Sequence, residues 1–429
     1  MNTPRKDSLA IKLPQKLEAE ILPSKDSSDR FVLGDERDPE QRVRFIDPST
    51  NRVWGFLVVD DTRRGPGVGG IRIAPDLTLK EVARLARAMT LKNSAACLPL
   101  GGGKSGLVAD PDLLAREPEL KSDLIALFAE ALFPFDNYVS APDMGTDEQD
   151  ILQIYEFNSG RLGTPTHMRG GSGLPADKGG IPIDAWALTA HGLFASAKSL
   201  EELDSGFQIN SARVLIQGYG NVGAPTAEKL HSAGAIVVGA SDIHAGLWNA
   251  NGLSLDELDQ VRGRPGGLSN YTGKVGRWFG PAKLDWLMEA PCDILVPSAR
   301  PDAITARNAD RVQCKLILQG ANMPVNKMTE YYLKNRRGIL SLSDFIVNVG
   351  GVIGCAVELK MTGDAEYRKK VQSHGTRTYV EELITHTISK NVAEIHSRLA
   401  AQGDTDRIFR EEALKLAEQR LQNPVECWL

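Results

Sequence analysis

The sequence is poor in cysteine, in long apolar runs and in excess positive charge, and each shortage removes a class of protein. Its five cysteines (Cys97, Cys292, Cys314, Cys355 and Cys427) lie far apart, with no C-x-x-C pair. That spacing excludes a zinc ribbon or a dithiol redox centre, so no metal is expected, and the odd count argues against a disulfide framework. No window approaches 18 consecutive apolar residues, so no transmembrane helix and no membrane partner are expected. The opening stretch MNTPRKDSLAIKLPQKLEAE lacks the apolar centre of a secretory signal and carries acidic residues that transit peptides avoid. A cytoplasmic location follows. Fifty Lys and Arg against 55 Asp and Glu leave a net charge of −5, which gives no basic face for nucleic acid.

What is present is a globular chain of 429 residues, long enough for two domains. Residues 1–40 are polar and charged, with one short amphipathic patch at QKLEAEIL, and read as a mobile or peripheral arm. RVRFIDP and VWGFLVVDDT follow in strand style, broken by the turn signal RRGPGVGG. TLKEVARLARAMTLKNSAAC has helical periodicity, with Val82, Leu85, Met89 and Ala96 on one stripe. Lys92 falls on that apolar stripe. Taken alone, the ordinary explanation is a snorkelling side chain near a helix C-terminus, where a cation suits the dipole. From about residue 186 onward, short apolar runs alternate with helices, as in a parallel doubly wound sheet. The tail from about 355 reads as long helix.

Two glycine clusters compete for a nucleotide. In ARVLIQGYGNVGAPTAEKLHSAGAIVVGASD, Gly218, Gly220 and Gly223 have G-x-G-x-x-G spacing between an apolar strand and a helix. A second strand then ends at Asp242, placed to accept hydrogen bonds from an adenosine ribose. Glycines for the turn and for close pyrophosphate approach, with Asn221 and Val222 between them and a helix N-terminus for the anion, make this the dinucleotide site. NAD is favoured by Asp242, and NADP stays open because His244 flanks the same position. The other cluster, LPLGGGKSGLVADP, imitates a Walker A loop, but that motif needs glycine five residues before its Gly-Lys pair and Leu98 stands there. Lys104 is left for another role.

Around Lys104 the chain resembles the Glu/Leu/Phe/Val amino-acid dehydrogenase family, in segments running in order from about Gly65 to Glu358. They include GVGGIRIAPDLTLKEV, MTLKNSAACLPLGGGKSGLVADP, YVSAPDMGTDEQDI, QGYGNVG, LQGANMP and SDFIVNVGGVIG. The resemblance implies an α/β protein of two domains: an N-terminal α/β catalytic and oligomerisation domain (41–185), then a Rossmann-like dinucleotide-binding domain (186–354). Helices over 355–429 return to the first domain. It implies Lys104 and Asp143 as the catalytic pair, with Lys92 and the backbone at Gly69 and Gly70 holding the substrate α-carboxylate. Asn322 and Asn348 are placed near the nicotinamide and the substrate. It further implies an amino acid, a 2-oxo acid and ammonium as partners, and a homo-oligomer, hexameric or octameric in the family. A helix N-cap role for Asp143, ahead of GTDEQDI, is compatible with catalysis.

Three departures bear on the substrate. Val68 stands where glutamate-specific members carry a lysine for the side-chain carboxylate, and Cys355 stands where they commonly carry serine. Both changes remove polarity from the side-chain pocket, which favours a branched or aromatic amino acid over glutamate. A buried carboxylate without a cation is disfavoured, unless Arg63 or Arg64 reaches in to rescue it. After RGGS, Trp186 falls near the place of a family threonine that approaches the ligands, and Gln319 replaces a glutamate. The alternatives to an apolar-substrate enzyme are therefore a glutamate dehydrogenase and a catalytically impaired, dinucleotide-binding regulatory protein.

Overall fold

The structure, a computed structural model, describes residues 12–23, 37–163, 171–203, 206–401, 403 and 406–423. The remainder of the N-terminal arm, the start of RGGS and Cys427 lie outside the described residues.

The first sheet takes its strands from the N-terminal third: β1 (Glu18–Leu22), β2 (Gln41–Ile46), β3 (Val53–Asp61), β4 (Gly67–Ile73), β5 (Gly101–Leu107) and β6 (Tyr138–Pro142). Their order is β1-β2-β3-β5-β4-β6, antiparallel from β1 to β5 and parallel across β5, β4 and β6. The apolar half of each strand faces helices Pro118–Leu132 and Glu148–Leu162, where Phe45, Phe128, Ile125, Ile151 and Ile154 form one core. The other face carries helix Leu79–Ala95, packed through Val82 and Ala86 onto Val58. The arm is thus partly built into the fold: QKLEAEIL supplies the edge strand β1, paired from Glu18 with Ile46 to Leu22 with Arg42.

The glycine cluster GGGKSG is the central strand β5, fully buried, and not the flexible loop its composition suggests. The reason is space. A Cβ on Gly102 would lie 2.1 Å from Thr90 Oγ1, and one on Gly103 would lie 2.7 Å from the Tyr138 ring. The missing side chains let helix Leu79–Ala95 and the neighbouring strands close directly onto the backbone that carries Lys104, which offsets the entropy glycine loses on folding.

The second sheet holds β7 (Arg213–Gln217), β8 (Ile236–Ser241), β9 (Gly246–Trp248), β10 (Arg277–Phe279), β11 (Ile294–Pro297), β12 (Leu316–Leu318) and β13 (Leu340–Leu342), in the order β10-β9-β8-β7-β11-β12-β13. Strands β8, β7, β11, β12 and β13 are parallel, and an antiparallel edge of β9 and β10 extends them. Val214, Ile216, Ile294 and Val296 point into one core, while Leu215, Leu295 and Ile317 point into another. Helical layers on both faces account for the unbroken apolar runs of the sequence.

The chain then returns to its beginning. Asn391 Nδ2 in helix Thr376–Ala400 donates to the Ala95 carbonyl at 2.8 Å. In helix Phe409–Gln422, the Ala417 carbonyl accepts from Ser94 Oγ at 2.5 Å. No helix among the described residues is long and apolar enough to cross a membrane.

Candidate active site

The carboxyl ends of β4 and β6 face those of β11 and β12 across a cleft of about 570 Å³. Val68, Gly69, Gly70 and Arg72 enter it from β4, Lys104 from β5, Asp143 from the loop after β6, and Lys92 from the last turns of helix Leu79–Ala95. Asn322, Asn348 and Cys355 line the opposite side. The cleft-lining set therefore includes every substrate and catalytic residue named from the sequence. Lys92 does not snorkel: it is buried and its Nζ donates to Asn322 Oδ1 at 2.6 Å, across the cleft.

Lys104 Nζ lies 2.6 Å from Asp143 Oδ2, and Arg72 Nε donates to the same oxygen at 3.1 Å. Burial pushes the Asp143 carboxyl up, but the Lys104 ammonium and the Arg72 guanidinium outweigh it and hold the group ionised, well below the usual carboxylate range. Burial drives Lys104 downward against the attraction of Asp143, and Arg72 pushes the same way as burial. Lys92 is lowered to about 8 by burial, with Asp344 opposing and Lys104 adding to the shift. Gly70 makes this crowding possible, since a Cβ there would meet Asp143 Cβ at 2.6 Å and Lys104 Nζ at 3.0 Å. Asp143 caps no helix. Asp147 does, accepting from the Gln149 and Asp150 amides, while the Asp143 amide donates to Thr146 Oγ1 at 2.9 Å.

A second cavity of about 700 Å³ opens at the carboxyl ends of β7 and β8 and meets the first at Ser298, Ala299 and Arg300. Gly218, with φ of +91°, makes the turn into helix Gly223–Ser232, and a Cβ on Gly223 would come within 2.0 Å of the Gly218 carbonyl. Around Gly220 nothing lies within 4 Å of where a Cβ would be. A tight turn that leaves open backbone at a helix N-terminus fits a pyrophosphate. Asn348 adds a second sign of fit: its Nδ2 donates to the Gly320 and Ala321 carbonyls, while its Oδ1 is buried with no hydrogen-bond partner. Such an acceptor suits an amide or ammonium N–H. Val222 lines the substrate cleft, whereas the Asn221 side chain is occupied by Asp184, Nδ2 to Oδ2 at 3.0 Å. Asp242 borders the second cavity, but its carboxylate accepts from the backbone N–H groups of His244, Ala245 and Leu268. It anchors the loop beyond β8, a duty the spacing of the motif does not reveal.

Three other expectations change. Trp186 does not enter the substrate cleft; Thr189, at the start of helix Leu188–Leu203, lines it instead. Gln319 is buried away from the cleft, where its Nε2 donates to Glu330 and to Ser341 Oγ and its Oε1 accepts from Arg410. Arg63 pairs with Asp61 and Arg64 donates to the Leu98 and Arg420 carbonyls, so neither reaches in.

The residues missed were Arg72, Thr189, Ile181, Ile183 and Glu358. Ile181 and Ile183 wall the cleft. Glu358 holds the segment before them, accepting from the Gly173, Leu174 and Ile181 amides; burial raises it to about 7 in spite of those bonds. The alternation of β4, which puts Arg72 on the side of Gly70, was the one signal available for any of them.

Two family models match the chain: the Glu/Leu/Phe/Val dehydrogenase dimerisation domain over residues 39–159, and Glutamate/Leucine/Phenylalanine/Valine dehydrogenase over 179–423. The NADP-specific glutamate dehydrogenase of Saccharolobus shibatae is 33% identical over 74% of this chain and 73% of its own length. The catabolic NAD-specific glutamate dehydrogenase RocG of Bacillus subtilis is 28% identical over 85% of this chain and 86% of its own. Among solved structures, the hetero-hexameric glutamate dehydrogenase of Thermus thermophilus in its Leu-bound form superposes with a TM-score of 0.73 at 26% identity, covering 96% of this chain and 89% of that one. With the lysine–aspartate pair in one cleft and the glycine turn in the cavity that adjoins it, these matches establish that the chain belongs to the glutamate/leucine/phenylalanine/valine dehydrogenase family, as an amino-acid dehydrogenase that uses NAD(P).

Proposed function

We propose that the chain catalyses the reversible oxidative deamination of glutamate to 2-oxoglutarate and ammonium. The observation that carries the chemistry is the contact of Lys104 with Asp143 in the cleft that also holds Lys92. The choice of glutamate rests on the curated relatives, which are glutamate dehydrogenases.

In this reading Lys92 and the backbone at Gly69 and Gly70 hold the α-carboxylate, and Asn348 Oδ1 accepts from the amine or the nicotinamide amide. NAD(P), when bound, would supply the acceptor for the hydride that leaves Cα. Asp143 takes up and returns the amine protons, and its charge favours the cationic iminium. Lys104, in its neutral form, takes a proton from the water that attacks the iminium carbon and then stabilises the carbinolamine oxygen. Collapse of the carbinolamine releases ammonium and the 2-oxo acid. Gly218, Gly220 and Gly223 would hold the pyrophosphate and Asp242 would lie at the adenosine ribose, a carboxylate that favours NAD over NADP.

A second reading, a branched or aromatic amino acid, has its own observation. The wall beyond Lys104 is formed by Val68, Ile181, Ile183, Val352 and Cys355, the last a buried thiol raised to about 12 by desolvation. Arg72, Lys92, Lys104 and Arg300 are the cations lining the cleft, and the first three have duties there. For glutamate, Arg300 supplies the charge for the side-chain carboxylate, because its exposed pair with Asp285 is cheap to break. Oxidation of NADH or NADPH with ammonium and a panel of 2-oxo acids separates the two. Glutamate is supported by fastest turnover of 2-oxoglutarate and overturned by turnover confined to branched or aromatic 2-oxo acids.

The same reading includes a division into domains at 41–185 and 186–354, with 355–429 returning to the first. It is supported by the second sheet lying within 186–354, by five of the six strands of the first sheet lying within 41–185, with β1 added from the preceding arm, and by the bonds from Asn391 to Ala95 and from Ser94 to Ala417. It also includes a cytoplasmic homo-hexamer: Cys292 and Cys355, buried and outside any disulfide among the described residues, support the compartment, and the hetero-hexameric Thermus structure supports six subunits. Sedimentation equilibrium tests the assembly.

A further inference from the structure

Arg72 stands out because the chemistry above does not use it. It is buried, its side chain 9% exposed, and it bridges two carboxylates: Nε to Asp143 Oδ2 at 3.1 Å and Nη1 to Glu81 Oε1 at 2.8 Å. Charges alternate from the cleft outward, as Lys104, Asp143, Arg72 and Glu81, and the last is 40% exposed. Strand alternation places Gly70 and Arg72 on the same side of β4, so the residue that clears room for Asp143 is followed by the one that grips it.

We propose that Arg72 is a positioning residue that keeps Asp143 ionised and aimed at the substrate when Lys104 gives up its proton, and that its fixed charge sets the pH at which Lys104 does so. The inference rests on the reading of Lys104 as the base.

A base must be neutral before it acts. Once Lys104 is neutral, Asp143 loses its ion-pair partner inside a cleft where an unpaired carboxylate is costly. Without a second cation, Asp143 would take a proton itself or swing toward solvent, and either move would remove the acceptor for the amine protons. A guanidinium stays charged at every working pH and presents Nε and Nη1 in a rigid fork, which suits it to hold two carboxylates at once. Its positive charge also opposes the ammonium form of Lys104. The charged groups that act on Lys104 are Asp143 after β6, Arg72 on β4, and Glu81 and Lys92 on helix Leu79–Ala95. Asp143 and Glu81 favour the ammonium; Arg72 and Lys92 oppose it.

The test uses the full-length enzyme and the variants Arg72→Met, Arg72→Lys and Glu81→Gln. Two readouts are taken: the pH profile of kcat for amino-acid oxidation, and the pH dependence of Lys104 trace acylation by acetic anhydride, read by peptide mass spectrometry. Arg72→Met should move the rising limb and the acylation midpoint up by about one pH unit. Arg72→Lys should restore most of the midpoint while kcat stays low, because an ammonium cannot span both carboxylates. Glu81→Gln should move both downward. Cofactor KM should stay within about twofold throughout. Midpoints that do not move, or that move the same way in Arg72→Met and Glu81→Gln, overturn the inference. If Arg72→Met does not fold, the Glu81→Gln shift decides alone. Acylation midpoints that move as stated in an enzyme without turnover would uphold the placement of Arg72 and overturn the proposed function.

Discussion

Lys104 Nζ and Asp143 Oδ2, delivered by a central strand and by the loop after an edge strand, meet at 2.6 Å in a cleft that adjoins, at Ser298, Ala299 and Arg300, the cavity lined by the glycine turn of the other sheet. Lys104→Ala should lower kcat by about a thousandfold, the scale of a lost general base. Dinucleotide affinity, followed by NADH fluorescence, should stay within about twofold. Loss of both together would remove Lys104 from the role assigned to it.

Lys92 gives a pH signature of its own. Burial has brought it down to about 8 from its ordinary 10.5, so it is charged below that pH and neutral above it. In the proposed function that charge pairs with the α-carboxylate, and kcat/KM for the amino acid should therefore fall about tenfold per unit above pH 8. Lys92→Arg stays charged and should abolish that falling limb, at a lower plateau. A profile that is unchanged in the arginine variant would assign the limb to another group.

Two glycines should respond in opposite ways to the same added methyl. At Gly102 a Cβ would press on Thr90 Oγ1 at 2.1 Å and Thr90 N at 2.3 Å. Gly102→Ala should cost about 1–3 kcal/mol of stability, visible as a lowered Tm. At Gly220 the space is open, so Gly220→Ala should leave the Tm in place and weaken NAD(P) binding. Equal effects on Tm would contradict the placement of the pyrophosphate.

Val68 tests the side-chain pocket. It is 2% exposed and lines the cleft beside Lys104. Val68→Lys should raise kcat/KM for 2-oxoglutarate relative to a branched 2-oxo acid by about tenfold, since a buried carboxylate gains a partner. An unchanged ratio would move the side-chain site elsewhere in the cleft.

The site was more legible in the sequence than its surroundings. Lys92 announced itself by sitting on an apolar stripe, and the glycine turn by its strand, spacing and helix. These are local patterns, and local patterns survive in a linear reading. Gln319, Glu330, Asp344 and Arg410 form a buried cluster whose members come from four segments, and nothing local marks them as neighbours. GGGKSG hides its strand for a related reason. Glycine clusters signal turns when only the chain is considered, whereas here they make room for a helix that lies earlier in the chain. Trp186 drew attention through its size, but the backbone turn at Ala187, with φ of +53°, separates it from the Thr189 that lines the cleft.

The most direct measurement is the rate of NADH and NADPH oxidation by the purified chain with ammonium and a panel of 2-oxo acids. The account predicts turnover that requires ammonium, is fastest with 2-oxoglutarate, and is abolished in Lys104→Ala. Absence of turnover with every 2-oxo acid, from a protein that still binds the dinucleotide, would contradict it.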